Sequence, residues 1–231
     1  MTYQPYTTAQ TTAIRNGVMH QVYAWMTAGL LVTGAVASFV ASSAELTAAI
    51  FGNPWLFFGL FLVQIVAVIG LSAGIGRLSP AAAMAIFIGY AALNGLTLSA
   101  IFLVYTAASI ASTFFVTAGT FGAMSLYGYT TRRDLSGIGN IAVMALIGLL
   151  IASLVNFFMR SEALYWVITY AGVLIFVALT AWDTQKIKRL SQQVATEADA
   201  GRVAVIGALM LYLDFINLFI FLLRIFGARR D

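Results

Sequence analysis

The chain has 231 residues, of which 61% are hydrophobic and only 9% charged, with a formal net charge of +4 and no cysteine. A soluble domain covers its surface with roughly 25% charged residues, so a soluble globular enzyme is excluded, as are disorder, a disulfide scaffold and thiol chemistry. What remains is a polytopic membrane protein with apolar sequence for about seven helices of about 20 residues each.

Met1–Gln21 is polar and carries one charge, Arg15. It lacks the basic start, short apolar core and small-residue cleavage site of a signal peptide. We read residues 1–21 as a polar cytoplasmic segment, residues 22–227 as one transmembrane domain and residues 228–231 as a short basic tail. The sequence predicts a first helix over about Val22–Val40, broken by Ser42, Ser43 and Glu45. Asn53-Pro54 starts a second, which ends near Gly76. Arg77, Ser79 and Pro80 make a tight turn into a third over Ala81–Val104, and a fourth follows over Ser109–Tyr129. Beyond the charged turn Arg132-Arg133-Asp134, a fifth covers Ile138–Phe158 and a sixth Leu164–Trp182. Thr184–Arg202 is the one long polar connection, and its Lys186, Lys188 and Arg189 suggest that the sixth helix continues into solvent. The seventh covers Gly207–Phe226, with Gly227 as its C-cap. Ile141–Ile151 is apolar without alternation, so the spans are helices and not barrel strands.

The basic residues lie singly or in short groups between apolar runs, where they orient a membrane protein; they do not read as a nucleic-acid surface. With seven spans, one side carries eight of them (Arg15, Arg77, Arg132, Arg133, Lys186, Lys188, Arg189, Arg202) and the other four (Arg160, Arg224, Arg229, Arg230). That count places the N-terminus in the cytoplasm and the C-terminus outside. A re-entrant seventh helix would put both ends in the cytoplasm.

Charges inside the hydrocarbon cost at least about 2.5–3.5 kcal/mol each on insertion scales, so each calls for a reason. Asp214 falls ~10 Å into the seventh helix, with Asn217, Phe221 and Arg224 on its face at i+3, i+7 and i+10. That face reads as a cation site or gate, or as an internal hydrogen bond that locks packing. Asp183 closes the sixth helix and shares a face with Thr180, Phe176 and Thr169. Alone it reads equally as an interfacial carboxylate pairing with Lys186 at i+3. The two helices are antiparallel, and tilt and side-chain length can close the axial offset of ~6 Å between the two carboxylates. Arg224 reads as a snorkelling anchor or as an outer barrier to cations. Gly70 and Gly74 read as helix packing, and Asn94 with Thr97 and Ser153 with Asn156 as interhelical hydrogen bonds. His20 cannot build a metal site alone and reads as interfacial.

Three stretches carry a family resemblance. Leu211-Tyr212-Leu213-Asp214-Phe215-Ile216-Asn217-Leu218-Phe219, continuing to Leu222-Leu223-Arg224, resembles the last helix of the Bax inhibitor-1 family. Asp183-Thr184-Gln185 is similar to the end of that family's sixth helix. Ser125-Leu126-Tyr127-Gly128-Tyr129 with Arg132-Arg133-Asp134-Leu135 resembles the fourth-helix end of its bacterial inner-membrane members. The resemblance covers about Val18–Gly227. It implies an all-α membrane protein, a seven-transmembrane helix bundle with the last helix central. It also implies a pH-sensitive calcium leak in which Asp183 and Asp214 form the proton-sensing pair. An arginine of the second helix that bonds to this pair belongs to the family pattern, and the candidate here is Arg77, at the end of that helix.

The leading expectation is therefore a cation leak channel, calcium first, gated by protonation. Two carboxylates sharing a desolvated site cannot both ionise freely, so the pair titrates as a unit. Asp183, Asp214 and backbone carbonyls would bind calcium weakly and transiently, which suits passage. Arg77, Asn217 and Arg224 are the latch or pore-lining candidates. The expected partners are a cation and the lipid bilayer, with no cofactor and no nucleic acid. An aspartyl intramembrane protease also needs two aspartates on adjacent helices, but its Tyr-Asp and Gly-x-Gly-Asp motifs are absent: Trp182 precedes Asp183, and Leu211 and Leu213 precede Asp214. We read the chain as no enzyme. A membrane-embedded regulator or binding partner in membrane protein quality control, without transport, is the alternative.

Overall fold

The computed structural model describes residues 8–230. The first seven residues of the polar N-terminal segment, and Asp231 of the basic tail, lie outside the described residues. Seven of the helices are long and apolar enough to cross a membrane. Among the described residues the extended pairing is one isolated bridge, Tyr105 with Arg229.

Helix α1 spans Thr8–Ser42. It begins well before the apolar run and takes in much of the segment read from sequence as a polar leader. The break that follows holds a short helix, α2, Ala44–Phe51. Ser43 caps it, its hydroxyl accepting from Leu46 N at 3.3 Å, and Glu45 faces the positive end of the helix dipole in the first turn. The polar signals that read as a break are thus a helix start. Helix α3, Pro54–Gly74, has Asn53 Oδ1 accepting from Trp55 N (3.1 Å) and Leu56 N (3.3 Å). Pro54 stands where a missing N–H costs nothing. Helix α4, Pro80–Leu98, repeats this arrangement with Ser79 and Pro80. It stops short of the expected Val104: the chain turns at Ser99, whose hydroxyl donates to Leu96 O at 2.6 Å, before the single turn α5, Ile101–Val104. Helices α6, Ala107–Thr130, and α7, Ser136–Met159, fall close to their expected bounds.

Helix α8 spans Glu162–Gln193 and continues past Trp182 as the lysine pattern suggested. Helix α9 spans Glu197–Phe226 without a break. The long polar connection is therefore mostly helix, and only residues 194–196 separate α8 from α9. Arg15 Nε donates to Val194 O at 3.0 Å, so the early turns of α1 satisfy a carbonyl freed at this gap. Arg202 Nε likewise donates to Leu78 O at 3.0 Å, which fixes α9 beside the α3–α4 turn.

The chain divides into two compact units. One holds the chain up to Val104 together with Ile187–Tyr212, and the other holds Tyr105–Lys186 and the chain from Leu213 onward. Helix α9 is the most enclosed of the seven: 72% of its apolar window is buried, against 11% in α3 and in α7. Those two present apolar side chains such as Trp55, Phe61, Met144 and Phe158 outward, as lipid-facing helices do.

Candidate functional site: the aspartate seam of helices α8 and α9

Phe176 of α8 stacks on Phe221 of α9, with ring centroids 5.9 Å apart and planes at 28°. Gly172 allows this approach, because a Cβ there would meet the Phe221 ring at 2.6 Å. Asp183 lies seven residues along α8 from Phe176, and Asp214 lies seven residues back along α9 from Phe221. Seven residues are nearly two helical turns, ~10.5 Å, and the helices run in opposite directions. The spacing therefore carries the aromatic contact along one seam to a level where the two carboxylates stand opposite each other. Asp183 lies within electrostatic range of Asp214.

Asp214 is buried, with 4% of its surface exposed, and among the described residues its Oδ2 has no hydrogen-bond partner. Phe121 packs on Phe215 beside it, at 5.4 Å between ring centroids. Along α9, Glu197 lies ~25 Å before Asp214 and Phe226 ~18 Å after it. Asp214 thus lies in the middle third of the helix.

Asp183 is half-buried, and the residues after it hold it in place. Thr184 and Ser125 share a hydrogen bond of 2.9 Å between hydroxyls. The Gln185 side chain bridges the α6–α7 turn: its Nε2 donates to Arg133 O at 2.8 Å, and its Oε1 accepts from Leu135 N at 3.0 Å. Two glycines let α8 come close at this level. A Cβ at Gly128 would run into the Ala181 carbonyl, and one at Gly139 into the Trp182 ring. The motifs around Ser125, Arg133 and Asp183 are therefore one construction that fixes the backbone on either side of Asp183. Sequence reasoning gave Thr184, Gln185, Gly128 and Gly139 no such role. Their signal was adjacency: a polar pair directly after a membrane carboxylate, and small residues in facing helices.

Lys186, the expected partner of Asp183, is within its electrostatic range but forms no salt bridge with it. The lysine Nζ lies over the Trp182 ring, 4.9 Å from its centroid. Asn217 does not reach across the seam: its Nδ2 donates to Leu213 O, on its own helix, at 2.8 Å. Arg224 lies at the far end of α9, over the rings of Tyr165 and Phe221 at 5.5 and 5.1 Å. Arg77 is exposed in the turn beyond α3, its backbone N–H donating to Gly74 O at 2.9 Å. His20 is exposed. Among the described residues no three acidic or histidine side chains gather into a metal cage.

The remaining polar expectations divide. Asn94 Nδ2 bridges helices, donating to the Tyr212 hydroxyl at 2.8 Å, and Thr97 accepts from Gln64 Nε2 at 3.3 Å. Ser153 and Asn156 do not bridge: Ser153 donates to Leu149 O at 2.7 Å, and Asn156 accepts from Ser161 N at 2.9 Å. They belong to the C-terminal half of α7, where Arg160 closes the helix with a left-handed backbone, φ 52°.

The family model described as inhibitor of apoptosis-promoting Bax1 matches residues 15–231. The inner membrane protein YbhL of Escherichia coli K12 is 58% identical over 214 residues, 92% of each chain. An uncharacterized protein of Borreliella burgdorferi is 43% identical over 219 residues, 94% of each chain. The uncharacterized protein RP147 of Rickettsia prowazekii is 41% identical over 217 residues, 92% of this chain and 90% of its own. With the seven apolar helices and the aspartate seam, these matches make the chain a membrane protein of the Bax inhibitor-1 family.

Proposed function

We propose that this protein is a pH-sensitive cation leak, with calcium as the cation, gated by protonation of the Asp183–Asp214 pair. The observation that carries the reading is the unpartnered Asp214 Oδ2, buried near the middle of the most enclosed helix and opposite a second carboxylate. A buried polar atom without a partner is costly, and a membrane carboxylate is costlier still, so its retention calls for a use. Proton uptake changes the charge of the pair, and with it both the repulsion across the seam and the attraction for a cation. Two carboxylates without a third acidic ligand suit transient passage and not storage.

A protease reading has less support, because Trp182, Leu211 and Leu213 occupy the positions where such enzymes carry tyrosine and glycine. The eight-to-four distribution of basic residues supports a cytoplasmic N-terminus and a periplasmic C-terminus. A C-terminal reporter active only in the cytoplasm would overturn that orientation.

The leak is tested by reconstituting the full chain in liposomes with an internal calcium dye, across a pH series. Wild type is expected to pass calcium with a rate that varies with pH. Asp183→Asn and Asp214→Asn each keep the shape, remove the titrating group and should flatten that dependence. Unaltered pH dependence in both variants removes the pair from the gate. No flux at any pH moves the reading to a membrane-embedded binding partner.

A further inference from the structure

At the opposite end of α8 and α9 from the aspartate level, a cavity of about 530 Å³ opens beside the α7–α8 turn. Glu162, Tyr165 and Trp166 line it from the first turns of α8, and Arg224, Gly227 and Arg229 from the end of α9 and the tail. The tail is built back into this place. Gly227 N donates to Leu223 O (2.9 Å), Thr106 N to Ala228 O (3.1 Å), and Ala228 N to Ser109 Oγ (2.9 Å). Gly227 is required, because a Cβ would meet both the Leu223 carbonyl and the Tyr105 ring. Two backbone hydrogen bonds and one to a side-chain hydroxyl thus set Arg229 in the same cavity as Arg224.

The chemistry of the lining is specific. The Arg224 guanidinium stands over two aromatic rings, Tyr165 and Phe221, which restrain it and leave its N–H groups to an outside acceptor. Glu162 supplies a carboxylate in the same cavity, and among the described residues it forms no ion pair with either arginine. Tyr165 and Trp166 are in contact, 5.6 Å between ring centroids, and Trp166 stacks on Tyr170 at 5.8 Å. Aromatic rings grouped at a helix end mark the headgroup level of a bilayer. Two guanidinium groups and one carboxylate, at headgroup depth, match a phosphate next to an ammonium.

We propose that this cavity binds the headgroup of a phosphatidylethanolamine-type phospholipid, with Arg224 and Arg229 on its phosphate and Glu162 on its ammonium. The site is independent of the leak. It makes the end of α9 a lipid-reading element, beyond a simple snorkelling anchor.

The test is native mass spectrometry of the full chain in detergent, titrated with short-chain phosphatidylethanolamine, phosphatidylglycerol and phosphatidylcholine, and with inorganic phosphate as soluble competitor. Wild type should bind phosphatidylethanolamine about tenfold or more tighter than phosphatidylcholine, whose nitrogen has no N–H to offer. Arg224→Gln should weaken phosphatidylethanolamine and phosphatidylglycerol alike by about tenfold or more. Glu162→Gln should weaken phosphatidylethanolamine alone. Arg229→Gln changes an exposed tail side chain, so it keeps the phosphate arm testable should Arg224→Gln fail to fold. The proposal is overturned if every arginine variant that folds binds lipid as wild type does, or if Glu162→Gln leaves the headgroup preference unchanged. Displacement of lipid by an equal concentration of inorganic phosphate would equally overturn it, assigning the cavity to a soluble anion.

Discussion

Two residues apart on α9, Tyr212 and Asp214 have opposite surroundings. Tyr212 is fully buried, between Phe87 at 5.6 Å and Tyr90 at 5.8 Å, both edge-on. Its hydroxyl accepts from Asn94 Nδ2 at 2.8 Å and lies 2.6 Å from Thr33 Oγ1. Thr33 has one proton, which it gives to Ala91 O at 2.8 Å, so Tyr212 is the donor to Thr33. The Tyr212 and Thr33 hydroxyls each donate one hydrogen bond and accept one. Asp214, ~200° away around the helix, is as deeply buried but leaves Oδ2 without a partner. The first arrangement is how a membrane helix is locked by polar groups, and the second is what packing alone does not account for.

The contrast can be broken on either side. Tyr212→Ala should be the most damaging substitution on α9, lowering stability by about 3–5 kcal/mol through the lost ring and the cavity left behind. Thermal unfolding in detergent measures it. Tyr212→Phe separates the polar share: it keeps the ring and strands Asn94, at a cost of about 0.6–1.7 kcal/mol. Asp214→Leu should go the other way. It exchanges an unpartnered buried carboxylate for an apolar side chain of similar volume, which is neutral or stabilising by about 1–3 kcal/mol. A large loss of stability in that variant would show that Asp214 is structural, and would place it in the same class as Tyr212.

The seam was legible in the sequence because its signal is periodic. Phe176 with Asp183, and Asp214 with Phe221, each repeat at seven residues, so an antiparallel pair of helices aligns both at once. The ends of the helices were legible only in part: the lysine pattern showed that α8 runs past Trp182, but nothing showed that α9 starts at Glu197. Thr184–Arg202 is polar, and polarity reads as a connection. Most of it is helix because Ile187 and Ser191 of α8 and Ala200 of α9 are buried, while Arg15 bonds the carbonyl freed at Val194 in the short gap and Arg202 bonds that of Leu78. The Tyr212 cluster was half legible: Asn94 announced an interhelical bond, but Thr33 is a single hydroxyl in a long apolar helix with no pattern to select it. The clamp by Gln185 was invisible for the same reason, since it joins positions 50 and 52 residues apart in the chain.

The smallest expected effect is the sharpest test of how far the functional face extends along α9. Asn217 shares the face of Asp214, and its polarity alone makes it a pore-lining candidate. Its Nδ2, however, is spent on Leu213 O, one turn back on the same helix. That carbonyl is an ordinary helical acceptor with a second lone pair, so the bond adds little that the helix lacks. Asn217→Ala removes a half-buried amide whose donor was satisfied within its own turn, and alanine is the better helix former. Stability should therefore change by no more than about 0.5 kcal/mol. If the gate is confined to the aspartate pair, calcium flux and its pH dependence should also match wild type in the liposome assay. An Asn217→Ala chain of wild-type stability with altered flux would extend the conducting face beyond the two carboxylates, along the seam toward Phe221.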